Sequence, residues 1–329
     1  MILWLTFIAL TLIIFFSGKN LVKYGDILAE KLQLGKTVVG IVFVASITSL
    51  PELITGISAV TFADSPDIAA GDVFGSCMFN LLILAFLDGF FRDTPLTTKV
   101  HHGLTLSAAF GIILITVSLL TIFLGDKMPV LGWISGGSFI VIFVYILAVW
   151  IITRYEKKLI SKTVKEVAFL YEEIGLRETV FKYGINAVII ILSSTFLPKV
   201  SKDIAHLYGF TETSFGTLFV ALSTSLPEIA VSLAAAKMNM ITISVANLLG
   251  SNIFNIFILA VDDIFYTKGS IFEHMDYNNL WSGGIAVLMT ATVILGLIYR
   301  AEKKRLRLAY ESIALIMIYF TGIIIIFRL

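Results

Sequence analysis

Charge is scarce in this 329-residue sequence: only 14% of residues are Asp, Glu, Lys or Arg, while 58% are hydrophobic and mean hydropathy is +0.95. That balance lies outside the range of a soluble globular chain. One cysteine, Cys77, leaves no partner for an internal disulfide and excludes a cysteine-rich metal centre. A net charge of +1 supplies no basic surface for nucleic acid. There are only six prolines, yet two of them fall deep inside apolar segments, where a helix breaker costs most.

Long apolar runs are what the chain has in quantity. A membrane span needs about 20 mostly apolar residues, and ten segments qualify: 2–22, 37–62, 68–91, 102–124, 129–153, 179–198, 212–236, 240–265, 280–299 and 308–328. The first lacks a basic leader and a small-residue cleavage site, so it reads as a retained span and not a signal peptide. The most polar stretch follows the fifth span. The expected organisation is an all-α polytopic membrane protein with a five-helix repeat at 1–153, a cytoplasmic linker at 154–178 and a second five-helix repeat at 179–329. Nineteen of the 24 Lys and Arg fall in the odd-numbered connections, which places those connections in the cytoplasm and both termini outside. Five is an odd number of spans, so the second half enters the membrane from the opposite side, and two alike halves would form an inverted repeat.

The halves do share sequence. Gly40 to Glu52 matches Gly216 to Glu228 at an offset of 176, including the run Thr48-Ser49-Leu50-Pro51-Glu52 and its copy Thr224-Ser225-Leu226-Pro227-Glu228. Further on, Gly75-Ser76-Cys77-Met78-Phe79-Asn80 matches Gly250-Ser251-Asn252-Ile253-Phe254-Asn255 at an offset of 175. An acid at the centre of a membrane helix costs about 2.5–3.5 kcal/mol on insertion scales, and such a residue reads first as functional. In a helix Thr48 and Glu52 share a face, as do Thr224 and Glu228, Ser76 and Asn80, and Ser251 and Asn255. Pro51 and Pro227 each leave a backbone carbonyl without its helical donor. Together these groups form an all-oxygen donor set suited to hard cations such as Ca²⁺, Na⁺ and Mg²⁺, with none of the His and Cys that zinc or copper prefer.

These duplicated motifs resemble the calcium/cation antiporter superfamily, most closely its prokaryotic sodium/calcium exchanger branch. The likeness covers nearly the whole chain. It implies a secondary antiporter, not an enzyme, that exchanges Ca²⁺ for Na⁺ by alternating access, in which Glu52, Glu228, Thr48 and Thr224 bind Ca²⁺. It also implies flanking Na⁺ sites at Ser49, Ser225, Ser76, Ser251, Asn80 and Asn255, with backbone carbonyls near Ala45 and Ala221. The first and sixth helices would slide past an eight-helix core. The sequence departs from the pattern at three places: Asp72 stands opposite Asn247, Cys77 opposite Asn252, and Asn255 is an amide where sodium-coupled members can carry an aspartate. Two glutamates alone would leave three Na⁺ with a net charge of +1, so Asp72, one turn before Ser76, is expected to add a third negative charge.

Other readings stay open at this level. Exchange of Ca²⁺ or another divalent such as Mg²⁺ for H⁺ fits the same acids. A cation channel fits less well, since channels favour rings of subunits, and no spacing supports an intramembrane hydrolase. Cys77 reads as a packing residue, and His101-His102 as a solvated turn. Asp64, Asp67 and Asp262-Asp263 read as outer ends of spans, solvated or attracting cations. No permanent cofactor and no obligate protein partner are expected, only membrane lipid and the transported cations. A chain without a large polar insert suits a prokaryotic plasma membrane.

Overall fold

The computed structural model describes residues 1–31, 46–160, 175–238 and 240–328. Eleven helices build the frame around the site, in chain order α1 (Ile2–Lys31), α2 (Leu50–Thr61), α3 (Pro66–Asp88), α4 (Leu104–Leu124), α5 (Gly136–Ile160) and α6 (Leu176–Tyr208). After these come α7 (Glu212–Thr224), α8 (Leu226–Lys237), α9 (Ile241–Phe265), α10 (Asn279–Tyr299) and α11 (Tyr310–Ile326). The one sheet among the described residues is a hairpin, Val130–Leu131 with Ile134–Ser135, before α5.

Seven of these helices are long and apolar enough to cross a membrane: α1, α3, α4, α5, α6, α9 and α10. The pair α7–α8, bent by 46°, makes an eighth if taken as one broken span, and α2 and α11 are shorter apolar helices. Each of the ten segments expected from the sequence thus contains helix, although residues 37–45 of the second lie outside the described ones. Large apolar side chains on α1, α5 and α6, among them Leu5, Phe143 and Phe196, face outward, as lipid contact requires.

Inside this ring α3 and α9 are buried along most of their length and pack on one another. Glycine permits the closest approaches. A Cβ on Gly75 of α3 would come to 2.3 Å from the Thr217 carbonyl oxygen, and one on Gly71 to 2.9 Å from that of Thr213. A small residue every fourth position on α3 thus lets α7 lie against its backbone, the packing mode that membranes favour where burial supplies no drive. At this contact α7 carries a π-helical turn, Gly216–Val220.

Two buried aspartates hold the ends of the central helices. Asp88 at the end of α3 accepts from the Leu96 and Ala309 amides, both at 2.8 Å, and pairs with the buried Lys304 ammonium at 2.7 Å. Asp263, 175 residues later, accepts from the amides of Ile271 at 2.8 Å and Ser135 at 2.7 Å. Both are the helix-end acid whose chain folds back eight residues on. The sequence reading of Asp263 as a solvated or cation-attracting end is corrected here: it is buried, and it satisfies backbone donors that would otherwise be orphaned.

Candidate cation site

The two Thr-Ser-Leu-Pro-Glu runs break their helices at the same residue. Ser49 (φ −87°, ψ 15°) precedes α2, and Ser225 (φ −82°, ψ 3°) separates α7 from α8. Proline at the second position of each new helix has no N–H to donate to the preceding turn, so the chain leaves helical geometry there and restarts. The break turns both serine hydroxyls toward the opposite half.

The resulting bonds cross between halves in matched pairs. Ser49 Oγ donates to Glu228 Oε1 at 3.0 Å, and Ser225 Oγ donates to Glu52 Oε1 at 3.1 Å. Thr224 Oγ1 donates to Asp72 Oδ1 at 2.7 Å, while Thr48 Oγ1 reaches Asn247 Oδ1 at 3.5 Å and Ser251 Oγ at 3.3 Å. Ser225 Oγ also contacts Ser76 Oγ at 2.9 Å. Glu52, Glu228, Asp72, Thr48, Thr224, Ser49, Ser225, Ser76 and Ser251 are therefore brought together, all fully buried.

Each acid keeps one oxygen unengaged. Glu52 Oε2, Glu228 Oε2 and Asp72 Oδ2 are buried without a hydrogen-bond partner, which is costly unless a ligand completes them. Among the described residues no group of three or more His, Cys, Asp or Glu forms a metal cluster. The hydroxyls and amides would have to complete the coordination, as hard cations permit.

The amides differ between halves. Asn80 Nδ2 donates to Asn252 Oδ1 at 2.9 Å, so that side chain is partly committed. Asn255 is buried with neither amide atom partnered. The residue that would answer it by repeat is Cys77, which instead touches the Asn252 backbone through its thiol at 3.7 Å. Ala221 offers a carbonyl already accepting from Ser225 N at 3.0 Å and Thr224 Oγ1 at 3.3 Å. Ala45 lies outside the described residues. Sequence reasoning missed the interlock of Ser232 with α9, where Asn247 Nδ2 donates to Ser232 Oγ at 3.3 Å and Ser244 Oγ to the Ser232 carbonyl at 2.7 Å. It also missed Asp88, although its match to Asp263 at the motif's own offset was available.

Three features away from the site are structural. Lys268 donates to Asp64 at 2.6 Å, and that hydrogen bond holds the Asp64 carboxyl below its ordinary range. Glu212, at the start of α7, accepts from Ser65 and from His206, tying the α2–α3 turn to the end of α6. His102 meets Arg300 at 2.7 Å, and His101 Nδ1 accepts the Gly103 amide.

The sequence of the sodium/calcium exchanger protein family matches residues 2–153 and 183–328. The chain belongs to that family. Its relatives are transporters, so this exchanger-family chain is a transmembrane antiporter and not an enzyme. It is 25% identical over 292 residues to the inner membrane protein YrbG of Escherichia coli, covering 87% of this chain and 85% of that one. It is 24% identical over 339 residues to the sodium/calcium exchanger MaX1 of Methanosarcina acetivorans, covering 93% of each. The fold is similar to that of the sodium-calcium exchanger NCX_Mj (TM-score 0.63, 19% identity, 98% of both chains). It is also similar to the H⁺/Ca²⁺ exchanger CAX (TM-score 0.72, 12% identity, 99% of this chain and 86% of the other). Cation exchange involving Ca²⁺ is the activity common to these named exchangers.

Proposed function

We propose that this chain exports Ca²⁺ in exchange for Na⁺ by alternating access at the site built from Glu52, Glu228 and Asp72. The observation that carries this reading is the reciprocal crossing of Ser49 to Glu228 and Ser225 to Glu52, with one buried oxygen of each acid left for a ligand. Ca²⁺ takes the free oxygens of Glu52 and Glu228 with the Thr48 and Thr224 hydroxyls. Na⁺ uses Ser49, Ser225, Ser76 and Ser251, the Asn80 and Asn255 amides, and backbone carbonyls near Ala45 and Ala221.

Asp72 supplies the charge that the two glutamates lack. Its Oδ1 is held by Thr224 and its Oδ2 is free, so with cations bound three carboxylates face the site. Three Na⁺ then neutralise it, whereas one Ca²⁺ leaves a single negative charge. Buried charge without compensation resists desolvation, so the empty site, with three negative charges, is the state that does not reorient.

The architecture under this reading is ten spans in two inverted five-helix repeats, at 1–153 and 179–329, joined by a cytoplasmic linker at 154–178. Both termini face outward across a prokaryotic plasma membrane. The matched helix breaks and the matched Asp88 and Asp263 anchors support the repeat. Packing of α1 along α6 supports their movement as one unit.

Proton coupling is the second reading, favoured by Asn255, an amide at the place where an additional acid would strengthen sodium binding. The test is ⁴⁵Ca²⁺ uptake into proteoliposomes loaded with Na⁺, with choline, or with choline and an imposed proton gradient. Uptake that needs internal Na⁺ and disappears in Glu52→Gln and Glu228→Gln supports the first reading. Uptake driven by the proton gradient alone replaces Na⁺ by H⁺. No uptake under either gradient turns the search to Mg²⁺.

A further inference from the structure

One buried acid takes part neither in the central site nor in the helix-end anchors. Asp262 on α9 is inaccessible to solvent, and neither carboxylate oxygen has a hydrogen-bond partner. Among the described residues it has no ion pair either. Its neighbour Asp263 is engaged by the Ser135 and Ile271 amides and by the Ser138 hydroxyl, so the two adjacent acids have different tasks.

Asp262 sits in a notch. A Cβ on Gly56 of α2 would stand 2.4 Å from Asp262 Oδ2 and 2.6 Å from Oδ1, so only glycine there admits the carboxylate. Gly56 is one helical turn beyond Glu52, about 6 Å along the axis. Thr55 is three residues after Glu52 and so shares its face; its hydroxyl is likewise buried without a partner. On the opposing helix, Asp262 follows Asn255 by two turns on one face, and Asn255 is the unpartnered amide already described.

The two helices leave the site toward the same end of the molecule. α2 runs on to Asp64 and α9 to Lys268, and those residues pair at 2.6 Å. Asp262 and Thr55 therefore lie between the Glu52–Glu228 centre and the Asp64–Lys268 rim. The other half has no equivalent: the position matching Asp262 is Leu87, buried and apolar. The fold accommodates an aliphatic side chain at this point of its own repeat, so packing does not demand an acid. An unpaired carboxylate at membrane depth is costly, and a cation is the ligand that its two free oxygens, with the hydroxyl of Thr55 next to Gly56 in sequence, would accept.

We propose that Asp262 and Thr55 form a second cation station, on the Asp64–Lys268 side of the central site, through which Ca²⁺ passes. The acids whose charge bears on Asp262 are Asp72 across the α3–α9 contact and Asp263 beside it. A cation at the station therefore feels the pull of the central site without sharing its ligands. The other half keeps Leu87, so the chain has a waypoint on one side only.

That the passing ion is Ca²⁺ rests on the exchange reading; the existence of the station does not. The test is equilibrium binding of ⁴⁵Ca²⁺ to the full chain in lipid nanodiscs, in a Glu52→Gln/Glu228→Gln background that silences the centre. Weak binding should remain, close to one ion per chain, and should vanish on adding Asp262→Leu or Gly56→Ala. Asp262→Leu gives α9 the residue that the first half carries, and retained thermal unfolding cooperativity certifies its fold. Residual binding that is unchanged by both substitutions, or absent before them, overturns the station. Wild-type binding that ignores Glu52→Gln and Glu228→Gln but falls with Asp262→Leu would instead overturn the central site and leave the station standing.

Discussion

Ser49 and Glu228 belong to different halves of the sequence yet share a 3.0 Å hydrogen bond at the centre of the molecule. The same bond, with the halves exchanged, joins Ser225 to Glu52 at 3.1 Å. Each serine therefore orients the acid that its own half does not own. A hydrogen bond to a charged group contributes about 1.5–3 kcal/mol, and about 1.4 kcal/mol is a factor of ten in affinity. Ser49→Ala and Ser225→Ala should each weaken Ca²⁺ binding by about tenfold or more on that basis. Calorimetric titration of the purified variants checks this. Equal losses are expected from the matched geometry, and an effect confined to one serine would show that the two halves bind unequally.

Asp72 tests the charge balance. Asp72→Asn gives the first half the amide that Asn247 provides in the second, and it leaves a group able to accept from Thr224. One negative charge is lost with little change in shape. Ca²⁺ affinity should fall modestly, whereas the dependence of uptake on Na⁺ concentration should become less steep. Uptake measured against internal Na⁺, with the membrane potential clamped by valinomycin, separates the two effects. An unchanged Na⁺ dependence would show that Asp72 is a structural partner of Thr224 only.

The spans, the broken helices and the paired acids were legible because each leaves a local mark: a run of apolar residues, a proline, or a charge where charge is expensive. The duplicated run also marked residues that gather at the centre, though not the crossing of each serine to the other half's acid. Relations that depend on the depth of a neighbouring helix left no such mark. Asp262 and Asp263 look identical in sequence at the end of a span, yet one is seated in the Gly56 notch and the other holds the Ser135 and Ile271 amides. The glycine that distinguishes them is some 200 residues away, and only the packing of α2 on α9 brings it into contact. The π-helical turn at Gly216–Val220 was equally silent, because it answers to the backbone of α3 and not to its own side chains.

Cys77 has the clearest consequence of the places where the halves disagree. Asn80 is held by Asn252 at 2.9 Å, and Cys77 denies Asn255 the corresponding partner. Cys77→Asn should restore it and commit the Asn255 amide to the protein. If Asn255 is a cation ligand, Na⁺-dependent uptake should then need several-fold more Na⁺, while Asn255→Ala should act in the same direction. Uptake in Cys77→Ala serves as the control, since it removes the thiol without supplying a partner for Asn255. Matching behaviour of Cys77→Asn and Cys77→Ala would assign the effect to packing around the thiol.

The anchors at the helix ends differ in one respect that stability measurements can resolve. Asp88 and Asp263 each hold two backbone amides, but only Asp88 faces a buried cation, Lys304 at 2.7 Å. Lys304 also donates to the carbonyls of Asp88 and Phe91 at 2.6 and 2.7 Å, so it bridges the end of α3 to the chain entering α11. Removing one partner of a buried pair leaves the other charge uncompensated, at a cost of about 3–5 kcal/mol. Asp88→Asn should therefore lower the thermal midpoint more than Asp263→Asn, and Lys304→Met should cost less than Asp88→Asn, because the orphaned Asp88 still receives two amide donors. The double variant Asp88→Asn/Lys304→Met should recover part of the loss. Failure of that recovery would mean that the amides alone account for the anchor and that the ion pair adds nothing.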